Sequence, residues 1–258
     1  VHLALDTQTS KQVACKCYPR PTLPTHTSPD RKSIQTEISA LQMLSHPSIV
    51  SLYRIAHTST SIYIIMEYIG DITLGEYIKN RYTDRHYCND AIGRDDVYSI
   101  IVQILNGVEY MHSRGVYHRD IKPDNIVLGE GKRAVIIDFG LCLITDRPNE
   151  WQSAYCGTLV TSSPEMVGRE GYLPGPNDIW AVGVVLYLML TGKYPFGEGE
   201  GTKDRILAVQ YSKQGLSLDE QDLFNRIFTS DPEGRIDAGG FRTEIERLAV
   251  ERKMKNKG

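Results

Sequence analysis

The sequence predicts an α+β fold in which strands come first and helices follow. Strand-type runs separated by short polar turns lie in the first 68 residues, a pattern typical of antiparallel hairpins. Beyond them, apolar residues recur mainly at three- and four-residue spacing, which indicates amphipathic helices. The length of 258 residues and the hydrophobic content of 41% fit one large domain or two smaller lobes that share a cleft.

Composition and charge exclude several classes of function. The 29 basic and 32 acidic side chains leave a net charge of −3, which creates no field favouring nucleic acid or an anionic membrane as a partner. No apolar run reaches the roughly 18 residues that span a bilayer, and no signal peptide opens the sequence. The five cysteines are an odd number, so they cannot all pair within the chain in disulfide bonds. We therefore expect an intracellular protein, in the cytoplasm, the nucleus or both.

The chain begins with a predicted hairpin. Segments 1–4 and 11–18 are strand-type and flank the polar turn 6–10. Lys16 lies in an apolar setting in the second strand, and a surface lysine is the simplest interpretation of that residue alone. The proline-rich segment 19–27 is a connector, because proline restricts φ and donates no backbone hydrogen bond.

A helix is predicted to begin at Ser28. Serine is a good N-cap residue, Pro29 suits the first helical position, and an acid follows in the first turn. A glutamate on the apolar side of this helix costs free energy unless it meets a cation. The predicted apolar face consists of Ile34, Glu37, Ile38, Leu41 and Leu44.

The remaining elements follow from the same two periodicities. Two more strands are predicted at 49–53 and 61–68, joined by a hairpin at 57–60. The polar segment 80–95 is predicted to be a surface connection, and the basic residues from Arg252 to Lys257 a solvated helix end. Helices are predicted at 73–79, 96–113, 177–190, 216–228 and 240–255.

Two segments in the middle of the chain carry the densest chemistry. Residues 117–125 read Tyr-His-Arg-Asp-Ile-Lys-Pro-Asp-Asn, and the turn Asp138-Phe139-Gly140 follows the apolar run 134–137. Together with Lys16 and Glu37, these segments resemble the catalytic loop and metal-binding turn of the protein kinase family. Each motif alone also fits an ordinary turn or solvated loop, so it is the combination that carries the resemblance.

The resemblance extends over roughly 235 residues. Two further motifs follow in the family order, namely Ser163-Pro164-Glu165 and a predicted buried helix that contains Asp178 and Trp180. The resemblance implies a two-lobed protein kinase-like fold. Its small lobe, mainly antiparallel β with one helix, would occupy residues 1–68, and its larger helical lobe, with the catalytic and activation loops, residues 69–258.

The resemblance also implies ATP and Mg²⁺ as cofactors and a protein as substrate. Asp120 would accept the proton of the substrate hydroxyl, Lys122 would contact the γ-phosphate, and Thr158 would contact Asp120. Asn125 and Asp138 would hold Mg²⁺ through oxygen ligands. Lys122, two residues after the base, resembles serine/threonine rather than tyrosine kinases. The implied nucleotide-binding residues are Val1, Ala14, Lys16, Glu37, Met66, Glu67, Ile69, Val127 and Asp138.

Supporting contacts are implied by the same resemblance. Lys16 would bind the α- and β-phosphates while paired with Glu37, and the backbone of residues 67–69 would bind adenine. The other implied contacts are a hydrophobic stack of Leu41, Leu52, His118 and Phe139, hydrogen bonds from the catalytic-loop backbone to Asp178, and an ion pair of Glu165 with Arg235.

The sequence departs from the family pattern both where the family binds nucleotide and where it binds the protein substrate. The family places a Gly-x-Gly-x-x-Gly loop just before the residue that matches Val1, and this sequence contains none. If the native protein has the loop upstream, we expect this fragment to bind nucleotide more weakly than the complete domain. If it has none, we expect ATP to be held loosely or not at all, which favours a scaffold role. Segment 159–162 replaces the usual Pro-x-Tyr or Pro-x-Trp. Thr73 stands where kinases that prefer a basic substrate residue often carry an acid, which leaves Asp124 as the nearby acid.

Regulation is left open by the sequence. Arg119 beside Asp120 is typical of kinases whose activation loop is ordered by phosphorylation. Ser153 and Tyr155 are the nearest hydroxyls, but Ala154 occupies the position where relatives often carry the phosphorylated threonine. The small lobe and the run Cys156-Gly157-Thr158 resemble the calmodulin-dependent and checkpoint kinase group.

Two alternatives to a protein kinase remain at this point. A pseudokinase or interaction module would keep the two-lobed shape with weak or no turnover, because fold does not imply function. A small-molecule kinase would share the aspartate and asparagine chemistry, but the Pro164-Glu165 segment and the helix of Asp178 argue against it.

Overall fold

An antiparallel sheet of four strands forms the first part of the molecule. The computed structural model describes residues 1–19, 31–83, 92–169 and 171–255. The order across the sheet is β1-β2-β4-β3, and each neighbouring pair is antiparallel. These strands are β1 (His2–Asp6), β2 (Lys11–Pro19), β3 (Leu52–His57) and β4 (Ser61–Glu67).

Helix α1, at Arg31–Met43, lies between β2 and β3 in the chain and buries the face that its periodicity predicts. Glu37 and Leu41 are buried within it, and Leu44 is buried just beyond its end. The predicted N-cap Ser28 and nearly all of the proline-rich connector lie outside the described residues.

The second part of the molecule is mainly helical, so the two-lobed α+β fold is confirmed. Its helices are α2 (Leu74–Thr83), α3 (Arg94–His112), α4 (Pro164–Gly168), α5 (Pro174–Thr191), α6 (Thr202–Leu207), α7 (Leu218–Ile227) and α8 (Ala238–Lys255). Its short strands are β5 (Ile72–Thr73), β6 (Val116–Tyr117), β7 (Ile126–Leu128), β8 (Ala134–Ile136) and β9 (Leu143–Ile144).

Strand pairing brings the two chemically dense segments together. The loop 118–125 connects β6 to β7, and the turn 137–142 connects β8 to β9. Because β7 pairs with β8 and β6 pairs with β9, both antiparallel, the two connections lie side by side. Neither pairing is evident from the local sequence, since the strands are two or three residues long.

Helix α5 is buried on nearly all sides, as its unbroken apolar run predicts. A Cβ at Gly183 would lie 2.3 Å from Cγ2 of Ile227, so only glycine allows this approach. The indole of Trp180 stacks on Phe196 with ring centroids 5.2 Å apart. Within the described ranges, no helix has the length and apolarity needed to cross a membrane.

The predicted strand at 49–53 was wrong in its position. The strand β3 begins only at Leu52, because Ile49 forms a parallel bridge with Ile136 of β8 instead. Val50 N–H donates to the Ile136 carbonyl at 3.0 Å, and Ile136 N–H donates to the Ser48 carbonyl at 2.9 Å. This short pairing connects the first sheet to the loop region of the second part.

The predicted surface connection at 80–95 was too long. Helix α2 continues to Thr83, Ile92 is buried, and α3 already begins at Arg94. The six-residue helix α6 was not predicted at all. A single helical turn and a half shows too little periodicity to be found from sequence.

The predicted solvated basic end of α8 was only partly right. Arg252 Nε lies 3.4 Å from Asp95 Oδ1 on α3, because α8 packs along α3. Lys253 and Lys255 are exposed, as predicted, and Lys257 lies outside the described residues.

The buried carboxylate of Glu220 joins the beginnings of α3 and α7. Its Oε1 accepts hydrogen bonds from Arg94 Nε at 2.7 Å and Tyr98 Oη at 2.8 Å. Its Oε2 accepts the N–H of Ser217 at 2.7 Å, and the Ser217 hydroxyl accepts the Glu220 N–H, which completes a capping box. Burial alone would raise the pKa of Glu220, but the hydrogen bonds from Arg94, Ser217 and Tyr98 outweigh it and lower the pKa.

Replacing Glu220 by glutamine is expected to lower the free energy of unfolding by about 3 kcal/mol at pH 7, because Arg94 loses its buried partner. The folded-state pKa of Glu220 is depressed, so its stabilisation is present above the ordinary pKa of about 4.3 and lost as the pH falls through the folded value. The difference between the wild type and Glu220→Gln, measured by urea unfolding, should therefore shrink between pH 7 and pH 3.

The matched control is Glu251→Gln in α8. Glu251 pairs with Arg247 four residues earlier, and both side chains are substantially exposed. We expect a loss below about 0.5 kcal/mol. A difference for Glu220→Gln that stayed constant down to pH 3 would contradict the assigned role of its charge.

Candidate active site

A cavity of about 340 Å³ opens between the first sheet and the loop region that follows it. Ala14 and Met66 line it from paired positions on β2 and β4, and Val127 lines it from β7. This size suits a small organic ligand. All the predicted nucleotide-binding residues line the cavity, namely Val1, Ala14, Lys16, Glu37, Met66, Glu67, Ile69, Val127 and Asp138, and Asn125 joins them.

The ammonium group of Lys16 joins the sheet to α1 and to the turn at Asp138. Its Nζ lies 2.6 Å from Oε1 of Glu37 and 2.7 Å from Oδ1 of Asp138. Burial alone would lower the pKa of Lys16, but the two carboxylates outweigh burial and raise it. Lys16 therefore stays charged at physiological pH. With a side chain only 16% exposed, it is not an ordinary surface lysine.

Asp138 occupies a left-handed backbone conformation with φ of 61°. Aspartate tolerates this region because its short side chain bonds nearby backbone, here the N–H of Gly140 at 3.2 Å. Burial would raise the pKa of Asp138, but the Lys16 charge and the hydrogen bonds lower it. The carboxylate is therefore ionised, and its second oxygen is left for a cation.

Helix α1 touches the Asp138 turn at two further points. The hydroxyl of Ser33 donates to the Gly140 carbonyl at 3.2 Å, and Cys142 Sγ lies 3.9 Å from the Thr36 carbonyl. These contacts, together with Glu37, set the distance between α1 and the turn.

Asn125 connects the cavity to the catalytic loop. Its Nδ2 donates to the Asp120 carbonyl at 2.9 Å and to Asp120 Oδ2 at 3.1 Å. Because the amide nitrogen of Asn125 makes both hydrogen bonds, its Oδ1 is the atom that can coordinate a metal ion. Oxygen ligands from Asn125 and Asp138 suit Mg²⁺, which takes few ligands from protein and the rest from phosphates and water. In the described part of the chain, no three His, Cys, Asp or Glu side chains converge on a metal site of their own.

The carboxylate of Asp120 is held by three side chains. Its Oδ1 accepts a hydrogen bond from the Thr158 hydroxyl at 2.8 Å, and its Oδ2 lies 2.8 Å from Lys122 Nζ. Lys122 Nζ also donates to Thr158 Oγ1 at 3.0 Å. With Asn125, these contacts bring together all the predicted catalytic residues. They fix the rotamer of Asp120, whose side chain keeps 10% exposure toward solvent.

The backbone of the catalytic loop is fixed by a fully buried carboxylate on α5. Asp178 accepts the N–H of His118 at 2.9 Å and the N–H of Arg119 at 2.8 Å, and lies 2.9 Å from Nε2 of His112. Arg119 has φ of 66°, a conformation that a bulky residue adopts only when its surroundings impose it. The hydrogen bond to Asp178 imposes this conformation on Arg119, the residue directly before Asp120.

The guanidinium of Arg119 holds the segment that follows the Asp138 turn. Nε donates to the Leu141 carbonyl at 2.7 Å, and Nη1 donates to the Tyr172 hydroxyl at 3.1 Å. Tyr172 is buried, and its backbone exchanges two hydrogen bonds with Gln152. Arg119 thereby holds the segment 141–157 directly at Leu141 and, through Tyr172, at Gln152. Ser153 and Tyr155, the nearest hydroxyls before Cys156, are both exposed.

Three of the predicted supporting contacts are present in the structure, namely the hydrogen bonds to Asp178 described above, the His118–Phe139 ring contact and the Glu165–Arg235 ion pair. The rings of His118 and Phe139 lie 5.0 Å apart, edge to face. Arg235 Nη1 lies 2.8 Å from Glu165 Oε1 with both side chains buried. Leu41 belongs to the same hydrophobic core as Phe139, and Leu52 packs against that core.

Two expectations about recognition need refinement. The Glu67 carboxylate pairs with Arg133 at 2.6 Å, and its N–H donates to the Ser51 carbonyl, so only its carbonyl is left for a ligand. The expectation that Asp124 is the one acid near Thr73 was wrong. Glu76, three residues on, accepts both the N–H and the hydroxyl of Thr73.

Comparison with known proteins agrees with this geometry. A family model described as the protein kinase domain matches residues 1–241. The chain belongs to the protein kinase family. It is similar to CBL-interacting serine/threonine-protein kinase 8 of Arabidopsis thaliana, with 34% identity over 95% of this chain and 53% of that protein. These similarities show a eukaryotic-type serine/threonine kinase catalytic domain.

Other relatives are similar over the same region. Sperm motility kinase 2B of Mus musculus is 34% identical over 78% of this chain and 40% of its own length. The probable serine/threonine-protein kinase HSL1 of Saccharomyces cerevisiae is 32% identical over 82% of this chain and 14% of its own length. The kinase chain described here thus spans about half or less of these curated relatives.

Sequence reasoning missed three residues of this kinase site. Tyr18 donates to Glu37, Tyr172 accepts from Arg119, and His112 contacts Asp178. Tyr18 was detectable in principle, because it lies two residues after Lys16 and so on the same face of the strand. The other two contacts link distant helices and loops, which a single sequence does not reveal.

Replacing Thr158 by valine is expected to lower the turnover of the kinase about tenfold. The change removes the hydroxyl between Lys122 and Asp120, and a hydrogen bond to a charged group contributes about 1.5–3 kcal/mol. The KM for ATP should stay unchanged, because Thr158 does not line the cavity. Steady-state kinetics with a peptide substrate checks both values.

Thr243→Val on α8 makes the same chemical change away from the site and serves as the control. Equal turnover in the two variants would show that the Thr158 hydroxyl does not orient Asp120.

Proposed function

We propose that this chain is an ATP- and Mg²⁺-dependent protein kinase that transfers the γ-phosphoryl group to serine or threonine hydroxyls of a protein. The observation that carries the proposal is the link made by Asn125. Its amide bonds Asp120, and its side chain lines the same cavity as Lys16 and Asp138. A carboxylate for the acceptor and oxygen and ammonium groups for the donor therefore belong to one connected site.

The residues of the cavity fit the proposed cofactors. The volume of about 340 Å³ and the apolar side chains of Ala14, Met66 and Val127 suit a planar base. Lys16 would hold phosphate oxygens, and Asp138 and Asn125 would hold the metal. When bound, ATP supplies the phosphoryl group and Mg²⁺ neutralises the negative charge that its oxygens carry.

Asp120 orients and deprotonates the acceptor hydroxyl in the proposed mechanism. Thr158 and Asn125 each donate to a different oxygen of its carboxylate, so its orientation is set before substrate arrives. Lys122, 2.8 Å from Asp120, would contribute a positive charge that stabilises the negative charge of the transferred group. The hydroxyl proton would pass to Asp120 as the hydroxyl oxygen bonds to the γ-phosphorus and the bond from that phosphorus to the bridging oxygen breaks, which releases ADP.

Several features support the choice of acceptor and compartment. The sequence Asp120-Ile121-Lys122-Pro123-Asp124-Asn125 has the form typical of serine/threonine kinases, and two of the three relatives described above carry that name. The described cysteines, Cys15, Cys17, Cys142 and Cys156, are free thiols, which supports the proposal of an intracellular location.

Asp120→Asn is expected to reduce phosphoryl transfer by about 10²- to 10⁴-fold, the usual size of a general-base effect. Nucleotide binding should survive, because Asp120 does not line the cavity. Phosphorylation of a peptide library with ATP and Mg²⁺, followed by phosphoamino acid analysis, measures the rate and the acceptor. The rise in melting temperature with ATP and Mg²⁺ measures binding.

Asp222→Asn, an exposed position on α7, is the matched control and should retain full activity. Undiminished transfer by Asp120→Asn would refute the role of Asp120. A wild-type protein stabilised by nucleotide but without any transfer would instead identify a nucleotide-binding interaction module.

A further inference from the structure

The second oxygen of the Glu37 carboxylate has a partner that the expected Lys16 pair does not explain. Glu37 is 1% exposed, and its Oε1 receives Lys16 Nζ at 2.6 Å. Its Oε2 receives the hydroxyl of Tyr18 at 2.5 Å. Leaving a buried carboxylate oxygen without a hydrogen-bond donor costs free energy. Tyr18 supplies the donor for one of the two oxygens of Glu37, and Lys16 supplies the donor for the other.

Alternation along β2 explains why Tyr18 reaches this position. Ala14, Lys16 and Tyr18 are separated by two residues each and therefore share one face of the strand. Ala14 lines the cavity, Lys16 bridges the two carboxylates, and Tyr18 reaches α1 at the far end of the row. One face of β2 thus carries an apolar residue that lines the cavity, the ammonium of Lys16, and the hydroxyl that donates a hydrogen bond to Glu37.

The ring of Tyr18 contacts the other partner as well. Lys16 Nζ lies 5.3 Å from the ring centroid, within the range of a cation–π contact. Burial, and then the hydrogen bond to Glu37, raise the pKa of Tyr18 to about 12. The phenol consequently remains protonated, and remains a hydrogen-bond donor, wherever the kinase would work.

We propose that Tyr18 is a positioning residue that fixes Glu37, and through Glu37 the ammonium of Lys16 above Asp138. The ammonium of Lys16 contacts two carboxylates, those of Glu37 and Asp138. Glu37 lies on α1, and no backbone pairing with the sheet sets the distance of a helix from that sheet. With Tyr18 and Lys16 each donating to one oxygen, any rotation of the Glu37 carboxylate short of a half-turn breaks both hydrogen bonds. Two donors from one strand thereby define the position of α1 against the cavity.

The effect on nucleotide rests on the proposed function, whereas the effect on α1 does not. The test uses Tyr18→Phe, which keeps the ring and removes only the hydroxyl. The matched control is Tyr63→Phe on the neighbouring strand β4, since no hydrogen bond of the Tyr63 hydroxyl to Glu37 is present. Glu37→Gln and the double variant complete a double-mutant cycle.

Hydrogen exchange without nucleotide is the first measurement. Amides of α1 in Tyr18→Phe should exchange about tenfold faster than in the wild type, the effect of losing a hydrogen bond to a charged group. Exchange in α8 should be unchanged, which separates local loosening from global destabilisation. Tyr63→Phe should match the wild type in both helices.

Nucleotide affinity and kinetics are the second measurement. Tyr18→Phe should raise the Kd for Mg²⁺-bound ATP, measured by calorimetry, about tenfold and leave the KM for peptide unchanged. In the Glu37→Gln background, the same substitution should change the Kd less than twofold, because the acceptor of the hydroxyl is already altered.

Three results would decide against the inference. Exchange and affinity for Tyr18→Phe equal to those of Tyr63→Phe would show that the hydroxyl positions nothing. Full effects of Tyr18→Phe in the Glu37→Gln background would show that Tyr18 does not act through Glu37. Faster exchange in α8 as well as α1 would reduce Tyr18 to a general packing residue.

The inference and the proposed function fail separately. Loosening of α1 in Tyr18→Phe, together with undiminished phosphoryl transfer by Asp120→Asn, would keep Tyr18 as the residue that fixes Glu37 and refute the proposed catalytic role of Asp120.

Discussion

The buried charge of Lys16 is the constraint on which the cleft depends. An ammonium with little access to water is stable only beside opposite charge, and this one lies between carboxylates from two different parts of the chain. Glu37 comes from α1, and Asp138 comes from a turn 122 residues away in sequence. Satisfying one charge therefore fixes the sheet, the helix and the turn relative to one another.

The catalytic loop depends on a buried carboxyl group on α5. Asp178 on α5 is fully buried and accepts two backbone N–H groups, which stabilise the left-handed conformation of Arg119. A conformation of this kind persists only where its surroundings determine it. Helix α5 is nearly all apolar and packed on all sides, so it provides a rigid support. The orientation of Asp120 thus follows from packing in the core some distance from the cavity.

Arg119 transmits that order to the segment 141–157. Its partners are the carbonyl of Leu141 and the hydroxyl of Tyr172, both neutral acceptors. Tyr172 in turn pairs its backbone with Gln152, so one arginine holds the segment at Leu141 and, indirectly, at Gln152. A hydroxyl and a carbonyl give weaker hydrogen bonds to a guanidinium than a carboxylate or phosphate would. The segment is ordered by several modest contacts rather than by one strong one.

The sequence by itself determined the α+β class, the helix with Glu37 on its apolar face, and the residue types of the site. Those types are local: Asp120, Lys122 and Asn125 lie within six positions, and strand and helix periodicity place Lys16 and Glu37. Only the tertiary structure decided which groups meet. Ile49 joined β8 instead of extending β3, Glu76 proved to bond Thr73, and Tyr18 and Tyr172 entered the site, because strand pairing and helix packing set contacts between residues far apart in the chain. The chemical groups of a side chain follow from its residue type alone. The groups that it contacts depend on how the whole chain folds.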